Sequence, residues 1–67
     1  MQFELEYYYE GKVVDKELLN GTLKKALRQA KNSLNPEIRN VVDVYRVENG
    51  NRVWLKEYMV NRVLNIH

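Results

Sequence analysis

Asn40-Val41-Val42-Asp43-Val44-Tyr45-Arg46-Val47-Glu48-Asn49-Gly50-Asn51-Arg52-Val53-Trp54-Leu55-Lys56-Glu57-Tyr58 decides the fold. Valine and aromatic residues fit strands. Asn49-Gly50 between them is the strongest short hairpin signal, because both central residues of a type I′ turn need positive φ. The expected strands are 40–48 and 52–58. A two-residue loop fixes their register. Glu48 falls opposite Asn51, Arg46 opposite Val53, Tyr45 opposite Trp54, Val44 opposite Leu55 and Asp43 opposite Lys56. Directly opposed residues share a face. One face then carries Val42, Val44, Val53 and Leu55, which suits a core. The other carries Val41, Tyr45, Trp54 and Tyr58, with Asp43–Lys56 as an ion pair between them.

Working back from the hairpin, Asn35-Pro36 closes a helix, since the residue before proline is pushed out of the helical region. Leu23, Ala26, Leu27, Ala30 and Leu34 recur at helical spacing on an arc about 100° wide. Thr22 is a suitable N-cap, so the helix is expected over residues 22–34. Further back, Phe3-Glu4-Leu5-Glu6-Tyr7 alternates as a strand does, with Phe3, Leu5, Tyr7 and Tyr9 on one face. Glu10-Gly11-Lys12 is a turn signal. Residues 13–19 read two ways. As a strand they close a hairpin with Val14 and Leu18 inward. As a helix start, Asp15 caps and Leu18 and Leu19 begin the apolar face. Asn20-Gly21 is a poor helix interior, which favours the strand. Residues 59–67 form a tail or a strand extension.

The expected architecture is α+β: one helix on one face of a four-stranded antiparallel sheet, in the order β-β-α-β-β. The runner-up, β-α-β-β, drops the second strand and lengthens the helix. The expected core is Phe3, Leu5, Tyr7, Leu23, Ala26, Leu27, Ala30, Leu34, Val42, Val44, Val53 and Leu55. The element order resembles the layout of many small bacterial and phage proteins. That resemblance is of architecture alone and transfers no residue and no activity.

The chain has 67 residues, no cysteine and one histidine, His67. One small domain is the expectation. A core of this size rarely supplies more than ~3–5 kcal/mol unaided. Without cysteine there is no disulfide and no thiol nucleophile. A zinc cluster is excluded on ligand type, and no cofactor is expected. One proline and three glycines in a chain 45% hydrophobic argue against disorder. No apolar run approaches the ~20 residues of a membrane span. The first residues lack the basic and apolar regions of a secretory signal. These points make the cytoplasm the expected compartment.

Nucleophilic catalysis has little raw material. Ser33 and Thr22 are the only hydroxyl nucleophiles besides tyrosine, and Thr22 is better used as a cap. Carboxylates are in supply: Glu4 and Glu6 share a face, and Asp15 and Glu17 can lie near them on the outer side. Such a cluster could hold a hard cation. It better suits the solvated face of an edge hairpin, where charge discourages edge-to-edge pairing. So small a two-layer domain leaves little interior for the ~300 Å³ that small-molecule sites need. No catalytic residue, no metal and no small-molecule substrate are expected.

Charge is uneven. Residues 1–19 hold five acids against two bases, and residues 20–34 hold four bases and no acid. Those four, Lys24, Lys25, Arg28 and Lys31, span about 120° beside the apolar stripe. Lys24 and Lys25 stand in the first helical turn, where the macrodipole disfavours cations by ~0.3–1 kcal/mol. They are the candidate contacts to an anionic partner. A solvated face, compensated by Asp15 or Glu17, is the structural alternative. Tyr45, Trp54 and Tyr58 are the candidate interface residues, because Tyr, Trp and Arg are enriched at binding hot spots.

The expected function is a non-enzymatic interaction module. Its partner is another protein or a second copy: a homodimer, or a small inhibitor or adaptor of a larger, nucleic-acid-handling complex. The alternative is direct nucleic-acid binding through the basic helix, with Arg39, Arg46, Arg52 and Lys56 adding cations.

Overall fold

The computed structural model describes residues 1–60. Its elements are β1 (Gln2–Tyr9), β2 (Lys12–Asn20), α1 (Leu23–Asn32), β3 (Val41–Glu48) and β4 (Asn51–Met59). The strands form one antiparallel sheet in the order β2-β1-β3-β4. The helix comes between β2 and β3 in the chain and packs on β1 and β3. The fold is α+β, and residues 13–19 are strand.

The order follows from which strands have apolar residues to bury. Phe3, Leu5 and Tyr7 of β1 and Val42 and Val44 of β3 are fully buried, and β1 and β3 lie side by side under the helix. The charged strands β2 and β4 take the edges, where charge discourages pairing with another chain. The helix contributes its alanines, Ala26 and Ala30. Small side chains there let it approach the sheet closely. Leu19, Leu27, Leu34, Leu55 and Tyr58 pack around this centre, half-buried. Two expected core residues lie on the rim instead: Leu23 is 45% exposed and Val53 39%. Leu23 is the first helical residue, and Val53 sits on the edge strand opposite Arg46.

The Thr22 side chain caps the helix by accepting a hydrogen bond from the Lys25 N–H at 3.2 Å. The helix ends at Asn32, short of Leu34, with Ser33 as its C-cap. Asn35 then organises a tight turn. Its side chain accepts from the Glu37 N–H at 2.8 Å, and its backbone exchanges two hydrogen bonds of 2.9 Å with Arg39.

Both hairpins have two-residue loops with positive φ at both positions, 53° and 82° at Glu10-Gly11 and 48° and 80° at Asn49-Gly50. Both also contain a β-bulge. In the first hairpin Tyr7 pairs with Asp15 and Tyr8 with Val13, leaving Val14 unpaired. In the second Val44 pairs with Lys56 and Tyr45 with Trp54, leaving Leu55 unpaired. A one-residue slip exchanges the faces of every later side chain. Beyond each bulge the expected faces are therefore reversed. Leu19, not Leu18, faces the helix, and Leu18 is 62% exposed. Asp15 and Glu17 lie on the helix side, away from Glu4 and Glu6. Val44 is opposite Lys56 rather than Leu55, and Asp43 is opposite Glu57 rather than Lys56. Tyr58 is opposite Val42 and packs against the core, so it leaves the face of Tyr45 and Trp54.

Each slip has an electrostatic or packing cause. Without the first bulge, Glu6 would face Asp15 and Glu4 would face Glu17, and like charges directly opposed are destabilising. With it, Glu6 faces Lys16 and Glu4 faces Leu18. Without the second, Glu57 would lie opposite the fully buried Val42. With it, Tyr58 covers that position, at the expense of an Asp43–Glu57 opposition on the outer face. After Met59 the Val60 N–H donates to the Asn40 carbonyl at 2.9 Å. The rest of the expected tail, including His67, lies outside the described residues.

Candidate interaction faces

The outer sheet face has no helix over it. Its centre is Glu6, whose carboxylate is nonetheless buried, at 6% exposure for the residue. Neighbouring side chains do the covering. Tyr8 donates its hydroxyl to Glu6 Oε1 at 2.9 Å and Tyr45 does so at 3.5 Å. Arg52 Nη1 bridges Glu6 Oε1 at 3.3 Å and Glu4 Oε2 at 3.1 Å. Lys16 Nζ approaches Glu6 Oε2 at 3.7 Å. The Arg52 guanidinium also lies 3.9 Å from the centroid of the Tyr45 ring, close enough for a cation–π contact. Burial pushes the Glu6 carboxyl up, but the hydrogen bonds from Tyr8 and Arg52 and the charges of Arg52 and Lys16 outweigh it, and its pKa is lowered. The bond to Glu6 raises the Tyr8 hydroxyl well above its ordinary value. Burial raises Tyr45.

Glu4 and Glu6 are thus not the solvated face of an edge hairpin. β1 is a central strand, and both carboxylates are held by cations. The expected four-carboxylate cluster does not assemble, because the Val14 bulge sends Asp15 and Glu17 to the other side. Among the described residues no group of three or more His, Cys, Asp or Glu side chains is placed to share a metal ion.

Trp54 stands beside this network, opposite Tyr45, and is 57% exposed. Its indole N–H donates to Asp43 Oδ1 at 3.3 Å, which fixes the ring's orientation. Asp43 is also opposed to Glu57. The hydrogen bond shared with Asp43, then burial, then the Asp43 charge raise the Glu57 pKa. Of the three expected interface residues the fold brings Tyr45 and Trp54 together and removes Tyr58. Sequence reading missed Glu6 and Arg52 as the organisers of this face. A signal existed for Arg52, which precedes Trp54 by two residues and so shares its face.

The helix side is the electrical opposite. Lys24, Lys25, Arg28 and Lys31 are all exposed. None has a carboxylate within 4.0 Å among the described residues. The acids expected to compensate them are engaged elsewhere. Asp15 pairs with Arg39 at 3.8 Å, and Glu17 accepts from the Tyr7 hydroxyl at 3.2 Å and from Gln29. Of the additional cations, Arg39, Arg46 and Arg52 are each ion-paired. Lys31 and Lys56 lie 5.6 and 5.4 Å from the centroid of the Tyr58 ring.

The helix leaves a cleft of about 290 Å³ towards β2, lined by Phe3, Leu19, Ala26, Lys25, Arg28 and Gln29 among others. Sequence reading expected little interior for a space of this size. It is not carved from the core but lies beside it, where the helix covers β1 and β3 and stops short of β2. Among the described residues no helix is long and apolar enough to cross a membrane. No protein-family model, curated protein or solved structure matches this chain.

Proposed function

We propose that this chain is a non-enzymatic protein-interaction module that binds through its outer sheet face. The observation that carries the reading is Trp54: a large aromatic side chain, mostly exposed, held in one orientation on a face with no layer over it. Hot spots are enriched in Trp, Tyr and Arg, and Trp54, Tyr45 and Arg52 stand together here. The Glu6 network fixes Tyr45 and Arg52 before any partner arrives. Pre-ordered side chains reduce the entropy lost on binding. Exposed Leu18, Val13 and Met59 extend the apolar area of the same face.

Self-association is the form that the chain alone can test. Sedimentation equilibrium of the wild type is expected to give a mass that rises with concentration, and Trp54→Ala to remain a monomer. Loss of one interface tryptophan is expected to weaken the contact by ~2 kcal/mol or more. A concentration-independent monomer in both cases removes the homodimer and leaves a foreign partner. If Trp54→Ala associates as tightly as wild type, this face is not the contact.

The helix cations, unpaired among the described residues, favour a second reading, nucleic-acid binding through Lys24, Lys25, Arg28 and Lys31. Binding to random duplex DNA would then fall with a log–log salt slope of about −3 to −4. The four carboxylates Glu4, Glu6, Asp43 and Glu57 argue against using the sheet face for this.

A further inference from the structure

We propose that the cleft between α1 and β2 is a binding site for a small amphipathic carboxylate. The floor is apolar: half-buried Leu19, with the edges of Phe3 and Ala26, each only 1% exposed. The rim is polar, and its only charges among the described residues are the cations Lys25 and Arg28. Gln29, Asn20 and Asn32 add side-chain amides. Glu17, which reaches the lining residue Gln29, does not itself line the cleft and already accepts hydrogen bonds from Tyr7 and Gln29.

An apolar floor beneath two cations that are unpaired among the described residues selects a ligand with both halves of that chemistry. A bare anion would leave the floor wet. A neutral apolar molecule would leave the cations unanswered and would gain nothing from them. A carboxylate on a short hydrocarbon body satisfies both. Its charge meets Lys25 in the first helical turn, where a negative group also complements the helix dipole. Arginine binds carboxylates well because its fork of donors matches their geometry. The volume, about 290 Å³, is at the small end of ligand sites, which suits a compact molecule rather than a polymer. The cations on the other flank differ: Lys31 leans over Tyr58. The basic helix is therefore not one uniform phosphate-binding row.

The test uses the full chain, ¹⁵N-labelled, titrated with sodium octanoate below its micelle concentration. Octanol, acetate and octylammonium serve as controls. Octanoate is expected to give saturable amide shifts clustered at Leu19, Asn20, Lys25 and Gln29. Octanol and acetate are expected to bind at least tenfold more weakly, and octylammonium not at all. The double variant Lys25→Glu/Arg28→Glu changes only exposed side chains. It is expected to keep the wild-type circular dichroism spectrum and lose roughly ten- to a hundredfold in octanoate affinity. The proposal is overturned by shifts that do not saturate, by equal binding of octanol and octanoate, or by unchanged affinity in the double variant. Shifts centred on Trp54 also overturn it. Trp54→Ala leaves the cleft intact and should bind octanoate as wild type does, so this site and the sheet-face reading fail separately.

Discussion

Glu6 lies on a sheet face with no helix above it, yet four side chains seal it from water. Glu57, two strands away on the same face, instead meets a second carboxylate, Asp43. The two respond to pH in opposite senses. The pKa of Glu6 is lower in the folded chain than in the unfolded one. Its contribution is present above the unfolded value of ~4.3 and is lost as pH falls through the folded value. The pKa of Glu57 is higher in the folded chain. Its contribution is present below ~4.3 and is lost as pH rises through the folded value. At pH 7, Glu6→Gln is therefore expected to destabilise by ~1–3 kcal/mol, since hydrogen bonds to a charged acceptor are lost. Glu57→Gln is expected to stabilise. Both differences should shrink towards pH 3. Urea melts of both variants at pH 7 and pH 3 check this. A Glu57→Gln protein less stable than wild type at pH 7 would show that the Asp43 opposition is relieved some other way.

At the scale of elements, the sequence made the strands, the helix and both turns legible. Thr22, Pro36 and Asn49-Gly50 each act through local backbone geometry, which a one-dimensional reading can follow. What was not legible was the pair of bulges at Val14 and Leu55. A bulge is chosen by comparing two registers, and each comparison depends on a partner strand and on what lies above the sheet. Tyr58 moved to the core side because Glu57 would otherwise stand there, a choice visible only once β3 is under the helix. The strand order was hidden for a similar reason, as the burial of Glu4 and Glu6 depends on β1 being central. The bulge also makes a deletion test. Removing Val14 leaves Tyr7 opposite Asp15 and Tyr8 opposite Val13, so every face is preserved. That deletion is expected to change stability by no more than ~1 kcal/mol, the scale of ordinary substitutions. Removing Leu18 carries Leu19 to the outer face and strips its core packing. That deletion is expected to cost ~2 kcal/mol or more. Thermal melts followed by circular dichroism separate the two. Equal losses would mean that Val14 is not simply an inserted residue.

The whole molecule is a slab with unlike sides. Cations without acidic partners among the described residues cover the helix, and the sheet face carries four carboxylates against Lys16 and Arg52. Because the helix cations make no ion pairs among the described residues, the fold should not depend on them. The triple variant Lys24→Glu, Arg28→Glu, Lys31→Glu is expected to melt close to wild type, within about 0.5 kcal/mol per site. It should also lose any salt-sensitive binding to duplex DNA. A large drop in melting temperature would contradict the exposure seen here. The strand order has one more consequence. Each hairpin is built from neighbouring residues, and the N-terminal one with its helix meets the C-terminal one along one seam, where β1 pairs with β3 and the helix packs over β3. The chain is in effect a complex of two peptides tethered through residues 34–40. Severed there, peptides 1–35 and 36–67 should each be largely unfolded and should regain the native circular dichroism spectrum when mixed. The same seam allows two copies to trade hairpins at high concentration, a route to dimers that needs no new surface. A mixture that stays unfolded would show that the tether itself is needed to close the seam.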